Sequence, residues 1–253
     1  MKTSRCVLWA VTVFLSLVAF IPSVIAAPVV ITSCQAIKRP GSYVLGRNLF
    51  VPADKSTGDC LVIAANDVTI DLAGFKISGR VKNGSGIKTD GEVRRGISVM
   101  NGTISGFHAG MDLGFTGTNV TVQSMRFMDN GGIGVDVNEI CIIKDSIFYR
   151  NGQGIRAGSR SVVVGNTSNF NTNTGIQVAG GSRVEGNVAD VNGQHGITVG
   201  VGSTITNNTA LGNEIFGLYV NCPGNVMGNT AISNGTNLQL QSSGCNSVNN
   251  VAP

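Results

Sequence analysis

One spacing constrains this chain more than any other feature. Ser124, Asp145, Asn166, Asn187, Asn208, Asn229 and Asn250 stand 21 residues apart without a break. A repeat of about 20 to 50 residues marks a solenoid, in which each repeat covers the apolar face of the next. Helical solenoids need apolar stripes at a period near 3.6, and none is present.

A second series runs beside the first. Gly110-Met111-Asp112-Leu113, Gly134-Val135-Asp136-Val137, Gly154-Ile155-Arg156-Ala157 and Gly175-Ile176-Gln177-Val178 share one pattern, continued by Gly196-Ile197-Thr198-Val199 and Gly217-Leu218-Tyr219-Val220. Asn237-Leu238-Gln239-Leu240 ends it without the glycine. Apolar residues alternate with one variable residue, the period-two signature of a strand with two inward side chains and one outward. A third series, Asn130, Asn151, Asn171, Asn192, Asn213 and Asn234, precedes these strands, and Val163, Val184, Ile205 and Val226 mark another. Three short strands per coil predict an all-β, single-stranded parallel β-helix. Parallel crossovers are nearly always right-handed, so the coil is expected to be right-handed. The Asn columns are expected to stack, amide on amide, and to serve bends that need left-handed backbone angles.

Composition agrees with this reading. Glycine is abundant at 35 residues and charged residues make up 13% of the chain. Residues 1–26 read as a signal peptide: Lys2 and Arg5, an apolar run from Val7 to Phe20, then small residues at Val24-Ile25-Ala26. Removing it lowers the net charge from +4 to +2, which leaves no electrostatic footprint for nucleic acid. No later stretch of the mature chain is long enough to cross a bilayer. Residues 27–62 do not follow the repeat and read as an N-terminal cap; residues 63–253 read as the β-helix. An insertion from about Arg80 to Arg95, carrying Lys82, Lys88, Asp90, Glu92, Arg94 and Arg95, reads as a surface loop.

An exported chain meets an oxidising compartment. Cys34 with Cys60 and Cys222 with Cys245 are expected to be disulfides that staple the two ends of the rod. Cys141 is expected to be unpaired; Val162, Arg183 and Thr204 stand at the same offset in later repeats, which suggests that it faces outward. Asn-x-Ser/Thr occurs at Asn83, Asn101, Asn119, Asn166, Asn207 and Asn234, and the repeat itself accounts for it.

Cys34-Gln35-Ala36-Ile37, Pro40-Gly41-Ser42-Tyr43-Val44-Leu45, Cys60-Leu61-Val62-Ile63 and Asp67-Val68-Thr69-Ile70-Asp71-Leu72-Ala73-Gly74 resemble the start of exported right-handed parallel β-helix repeat proteins of the pectin-lyase-like superfamily. Ile97 to Val248 resembles their repeat region. The resemblance implies the fold and no single activity, since the superfamily holds pectin lyases, polygalacturonases, alginate epimerases and surface proteins.

In the enzymes of that superfamily the substrate groove lies along one sheet. Here the matching outward column is Asp112, Asp136, Arg156, Gln177, Thr198, Tyr219 and Gln239. Two acids and a guanidinium on successive coils are weak candidates for lyase or epimerase catalysis, with Ca²⁺ held by Asp112, Asp136 and Asn138 on that alternative only. Tyr219, Gln177 and Thr198 are candidate binding residues, with His195 as a flank. The resemblance also implies what is missing. A polygalacturonase pattern would carry an Asp-Asp pair and Gly-His-Gly, and an alginate-epimerase pattern Asp-Pro-His; the nearest match is Gln194-His195-Gly196. Neither cofactor nor resident metal is expected. Three readings follow. The first is a non-catalytic exported solenoid that contacts polysaccharide or a surface through one face. The second is a lyase or epimerase acting on acidic glycans. The third is a periplasmic accessory protein of the kind that helps mature a copper enzyme, for which Met111, Met125 and Met128 are the nearest soft donors.

Overall fold

The structure, a computed structural model, describes residues 27–51, 58–80 and 83–253. The proposed signal peptide and Lys82 lie outside the described residues. The described residues form 28 strands and no helix. All pair in parallel, one 10-stranded sheet facing an 18-stranded sheet that bends along its length. A typical coil gives two short strands to the larger sheet, such as Val162–Val164 and Thr167–Asn169, and one to the smaller, Ile176–Val178. The chain is a right-handed parallel β-helix, as the repeat predicted. Ten strands at about 4.8 Å give a rod of roughly 45 Å.

Coiling begins early. Val29–Ile31 pairs with Gly41–Leu45, and Ala36–Ile37 with Leu61–Ile63, so the stretch read as a cap is itself stacked in parallel. The insertion reading is corrected: Ser85–Thr89 is a strand of the 10-stranded sheet, paired with Leu61–Ile63 and with Ala109–Leu113. Gly86-Ile87-Lys88-Thr89 fits the strand pattern and belonged in that series.

The ladders hold the interior. Side-chain amides of Asn166, Asn187, Asn208, Asn229 and Asn250 bond in one column at 2.9–3.0 Å. Asn130, Asn151, Asn171, Asn192, Asn213 and Asn234 form a second column at 2.8–3.1 Å. Asn237 closes it by accepting the Asn234 amide, standing in for the amide of a further coil. Each ladder amide also meets the backbone, so these buried groups are satisfied without water.

One detail of the spacing is corrected. The coil partner of Asn166 is Ser146, whose N–H donates to the Asn166 side chain, and the partner of Ser146 is Met125. Asp145 and Ser124 sit one residue earlier, at left-handed angles of 52° and 53°, beside Gly165 at 65°. The turn Asn151–Gly154 is one residue shorter than Asn130–Gly134 and Asn171–Gly175, so Asp136 pairs with Arg156 at an interval of 20 and not 21. The left-handed bends precede the ladder residues and are filled by Gly165, Gly186, Asn207 and Gly228. The ladder asparagines are there for their amides.

The same one-residue slip misplaced Cys141. Its true successors are Ser161, Ser182 and Ser203, a third ladder in which each N–H donates to the next hydroxyl. Cys141 heads that ladder facing inward and is 1% exposed. It is free, while Cys34–Cys60 and Cys222–Cys245 are bridged with Cα atoms 4.4 and 5.0 Å apart. Burial, above all, pushes the Cys141 thiol up to about 11. A thiol held neutral is a poor nucleophile. Ellman's reagent is expected to leave the folded protein unlabelled at pH 8 and to titrate one thiol once urea unfolds it. Prompt labelling of the folded protein would contradict this placement.

Candidate functional site

The register places every residue of the expected outward column on one face of the 10-stranded sheet. Val62, Lys88, Asp112, Asp136, Arg156, Gln177, Thr198, Tyr219 and Gln239 follow one another on successive strands. Lys88 is the member the sequence reading missed. Beside this column, at the C-terminal ends of the strands, runs a column of mostly small residues: Gly114, Asn138, Gly158, Ala179, Gly200 and Asn221. A Cβ on Gly158 would come 2.6 Å from the Asn138 carbonyl carbon, and one on Gly200 2.5 Å from the Gly180 nitrogen. Close backbone stacking therefore demands glycine there, and the missing side chains leave a trough.

That trough is an open groove of about 430 Å³, walled by Asp136, Arg156, Gln177 and Thr198 on one side and headed by Phe115. A second hollow of about 270 Å³ continues past Phe115 toward Lys88, Asp90 and Asp112. Phe115 is 90% exposed, the most exposed large apolar side chain among the described residues. It sits in a tight turn outside every repeat series, so periodicity could not single it out.

The charged members are paired. The Arg156 guanidinium donates through Nε to Asp136 Oδ1 at 2.9 Å and through a terminal nitrogen to Oδ2, the two-pronged geometry that suits carboxylate best. Asp136 is 5% exposed, covered by Arg156 and by the Gly114 backbone, whereas the Arg156 side chain is half exposed. The hydrogen bond to Asp136, aided by the nearby charge of Asp112, raises the already high pKa of Arg156 and fixes it as a cation. Asp112 is exposed. Lys88 Nζ lies 3.1 Å from Asp59, and Arg160 pairs with Glu139. Gln177 accepts from the Gln153 amide at 2.9 Å, which leaves its own amide hydrogens free to donate.

Further along the sheet, His195, Phe216 and Tyr219 form an aromatic patch. The rings of His195 and Phe216 stack at 5.1 Å, those of Phe216 and Tyr219 approach to 5.2 Å, and His195 and Tyr219 lie 6.1 Å apart. Burial lowers the pKa of His195, so its imidazole is neutral near pH 7. Its Nδ1 and the Thr198 hydroxyl are buried without a hydrogen-bond partner. The sequence reading joined His195 to Tyr219 and did not see Phe216, whose register with His195 places it there.

Met111 and Met125 lie in the core, and Met128 is half-buried in a different column from Met100. Among the described residues no three His, Cys, Asp or Glu side chains gather as a metal site would require.

Among solved structures the chain resembles the A-module of mannuronan C-5 epimerase AlgE6 from Azotobacter vinelandii, at 15% identity and a TM-score of 0.49 over 85% of this chain and 89% of that one. It also resembles the Dettilon tailspike protein, at 14% identity and 0.44 over 88% and 60%. The A-module of AlgE4, also from Azotobacter vinelandii, follows at 15% and 0.42 over 87% and 83%. These likenesses concern the fold. No curated protein matches the chain. Residues 63–251 match the family described as periplasmic copper-binding protein (NosD), and the chain belongs to that family.

Proposed function

We propose that this chain is an exported, non-catalytic β-helix module that binds glycan chains along the outer face of its 10-stranded sheet. The observation that carries this reading is the groove beside the outward column, floored by small residues, bounded by planar polar side chains and headed by the exposed Phe115. Such sites seat sugar rings: aromatic faces take the apolar side of the ring, and amides and guanidinium take the hydroxyls. The family description and the leader-like residues 1–26 both support a periplasmic location.

The lyase or epimerase alternative fits the groove less well. A general base must be free to take a proton, and both oxygens of Asp136 are held by Arg156. Asp112 alone does not make a Ca²⁺ site, which takes six to eight oxygens.

The family match favours a second reading, an accessory protein in copper handling. Copper sites draw on gathered thiolates, thioethers or imidazoles. The described residues do not fit one: Met111 and Met125 are closed within the hydrophobic core and Cys141 is a buried neutral thiol. On this second reading the chain would act by docking to a copper-carrying partner.

A panel of acidic and neutral polysaccharides, run with and without Ca²⁺, separates the first reading from the alternatives. Affinity electrophoresis reports retention, and reducing ends with ultraviolet absorbance of unsaturated uronates report cleavage. Retention without product is the expected result. Product release, or indifference to every polysaccharide, would defeat the reading.

A further inference from the structure

Resting on the glycan-binding reading above, we infer that the ligand of this groove is an uncharged linear polysaccharide, lying parallel to the rod axis between Phe115 and the His195–Phe216–Tyr219 patch. Three observations meet in this assignment.

The first is charge. The cation lining the groove, Arg156, and two cations on nearby residues already have anions. Arg156 is held by Asp136, Arg160 by Glu139 and Lys88 by Asp59. A polyuronate carries one carboxylate per ring and would have to displace these partners or enter against Asp112, an exposed carboxylate in the same column. Beyond Arg156 the column is neutral, with Gln177, Thr198, Tyr219 and Gln239. Sugar hydroxyls satisfy such groups without any ion being stripped of its partner.

The second is geometry. From the coil of Asp112, which carries Phe115, to the coil of Tyr219 is five strand steps, about 24 Å at ~4.8 Å each. A pyranose ring in a linear chain is about as long as one such step. A hexasaccharide laid along the trough thus meets Phe115 at one end and a polar side chain on each coil, and comes within reach of Tyr219, one strand beyond Thr198, at the other. The small floor residues Gly158, Ala179 and Gly200 keep the path open between them.

The third is the pair of orphaned polar atoms. His195 Nδ1 and Thr198 Oγ1 are the two buried side-chain polar atoms without partners among the described residues, and both lie against Tyr219, paired with Thr198 across the strands. A buried polar atom left unpaired costs stability, and a ligand hydroxyl that reaches it as the Tyr219 ring shifts recovers that cost. Thr198 lines the trough and His195 lies beside Tyr219 on the next strand, so both orphans among the described residues sit near the aromatic patch.

The test is isothermal titration calorimetry of the full chain with cellohexaose, laminarihexaose and maltohexaose, set against hexagalacturonate and hexamannuronate with and without Ca²⁺. At least one neutral hexaose is expected to bind. Phe115→Ala and Tyr219→Ala are each expected to weaken it by about 3- to 10-fold, the range for one lost aromatic contact. Tyr219→Phe is expected to retain the affinity, and added NaCl to leave it unchanged, since no ion pair forms. Phe115 is almost wholly exposed, so its variant isolates binding from folding. Binding of a hexauronate in preference to every neutral hexaose would overturn this inference and leave the glycan reading standing. Silence from all five would sink both. Neutral binding that ignores both alanine variants would remove the ligand from this groove.

Discussion

Replacing Asn187 by Ala is expected to destabilise the protein by about 3–5 kcal/mol, although the change removes no apolar side chain. Asn187 is fully buried. Its Oδ1 accepts from the Asn166 backbone N–H at 2.9 Å and from the Asn166 amide at 3.0 Å. Its Nδ2 donates to the Val163 carbonyl at 2.9 Å and to Asn208 Oδ1 at 3.0 Å. Alanine deletes these four bonds and leaves the buried Asn166 N–H with no acceptor. A net hydrogen bond contributes about 1 kcal/mol, and an orphaned buried donor costs about 1–3 kcal/mol more. Two comparisons identify the cause. Asn187→Ser restores an acceptor in the manner of Ser146, which takes the Met125 N–H at 3.1 Å, and is expected to recover about 1 kcal/mol. Asn250→Ala, at a half-buried position where water can replace the amide, is expected to cost only about 1 kcal/mol. Urea unfolding followed by circular dichroism measures all three. Hydrogen exchange checks that the loss is centred on the altered coil, because solenoids can open locally. Equal costs at positions 187 and 250 would mean that the ladder contributes by packing alone.

The fold was legible because it is periodic. Strand alternation, the glycine column and the asparagine series each report a local rule that every coil obeys, and the parallel stack follows from their repetition. The errors came where one coil departs from the rule. A turn shortened by one residue at Asn151–Gly154 shifted the apparent successors of Asp145 and Cys141, which drew Asp145 and its true partner Ser124 into the Asn column, and a side chain moved by one position in a strand changes faces. That slip hid the Ser161, Ser182 and Ser203 ladder and turned a buried thiol outward. The Ser85–Thr89 strand was lost because its coils are longer than 21 residues. The candidate site divides the same way. Asp112, Asp136, Arg156, Gln177, Thr198 and Tyr219 were found as a column because the strand pattern fixes which residue points out. Phe115 was not, since turns carry no period. An Asp–Arg ion pair on neighbouring coils could be read from the column, but not the burial of Asp136 beneath it, because that depends on which rotamers meet.

Phe148→Ala is expected to cost about 3–5 kcal/mol, at the upper end for a core truncation. Phe148 is fully buried and its ring stacks on that of Phe127, with centroids 5.2 Å apart and planes within 8°. The two occupy space that the strand-opening glycines leave. A Cβ on Gly134 would lie 2.9 Å from the Phe148 ring, and one on Gly110 2.6 Å from the Phe127 ring. In later coils the same inward column carries Ser168, Ala189, Ala210 and Ala231. There the space beside the glycine is taken by the ladder instead, with the Asn192, Asn213 and Asn234 amides 2.5–2.6 Å from the Cβ positions of Gly175, Gly196 and Gly217. The rod thus uses two packing solutions, Phe rings in its middle and amides with alanine beyond. Removing the Phe148 ring from the first leaves a hole that the walls cannot close, because the Asn151 and Asn171 amides pin the neighbouring coils at fixed spacing. Cavity cost grows when the site cannot collapse, which places the value high in the range. The converse change tests the same account. Ala189→Phe puts a ring where the amide column already fills the space, and overpacking is expected to destabilise by at least about 1–3 kcal/mol. Chemical denaturation of both variants, with Phe127→Ala and the double variant completing a cycle, measures the column. A coupling of about 0.5–1.5 kcal/mol between the two rings is expected. A Phe148→Ala loss below about 1.5 kcal/mol would show that the coils can close on the gap, and that the ladders do not hold them apart.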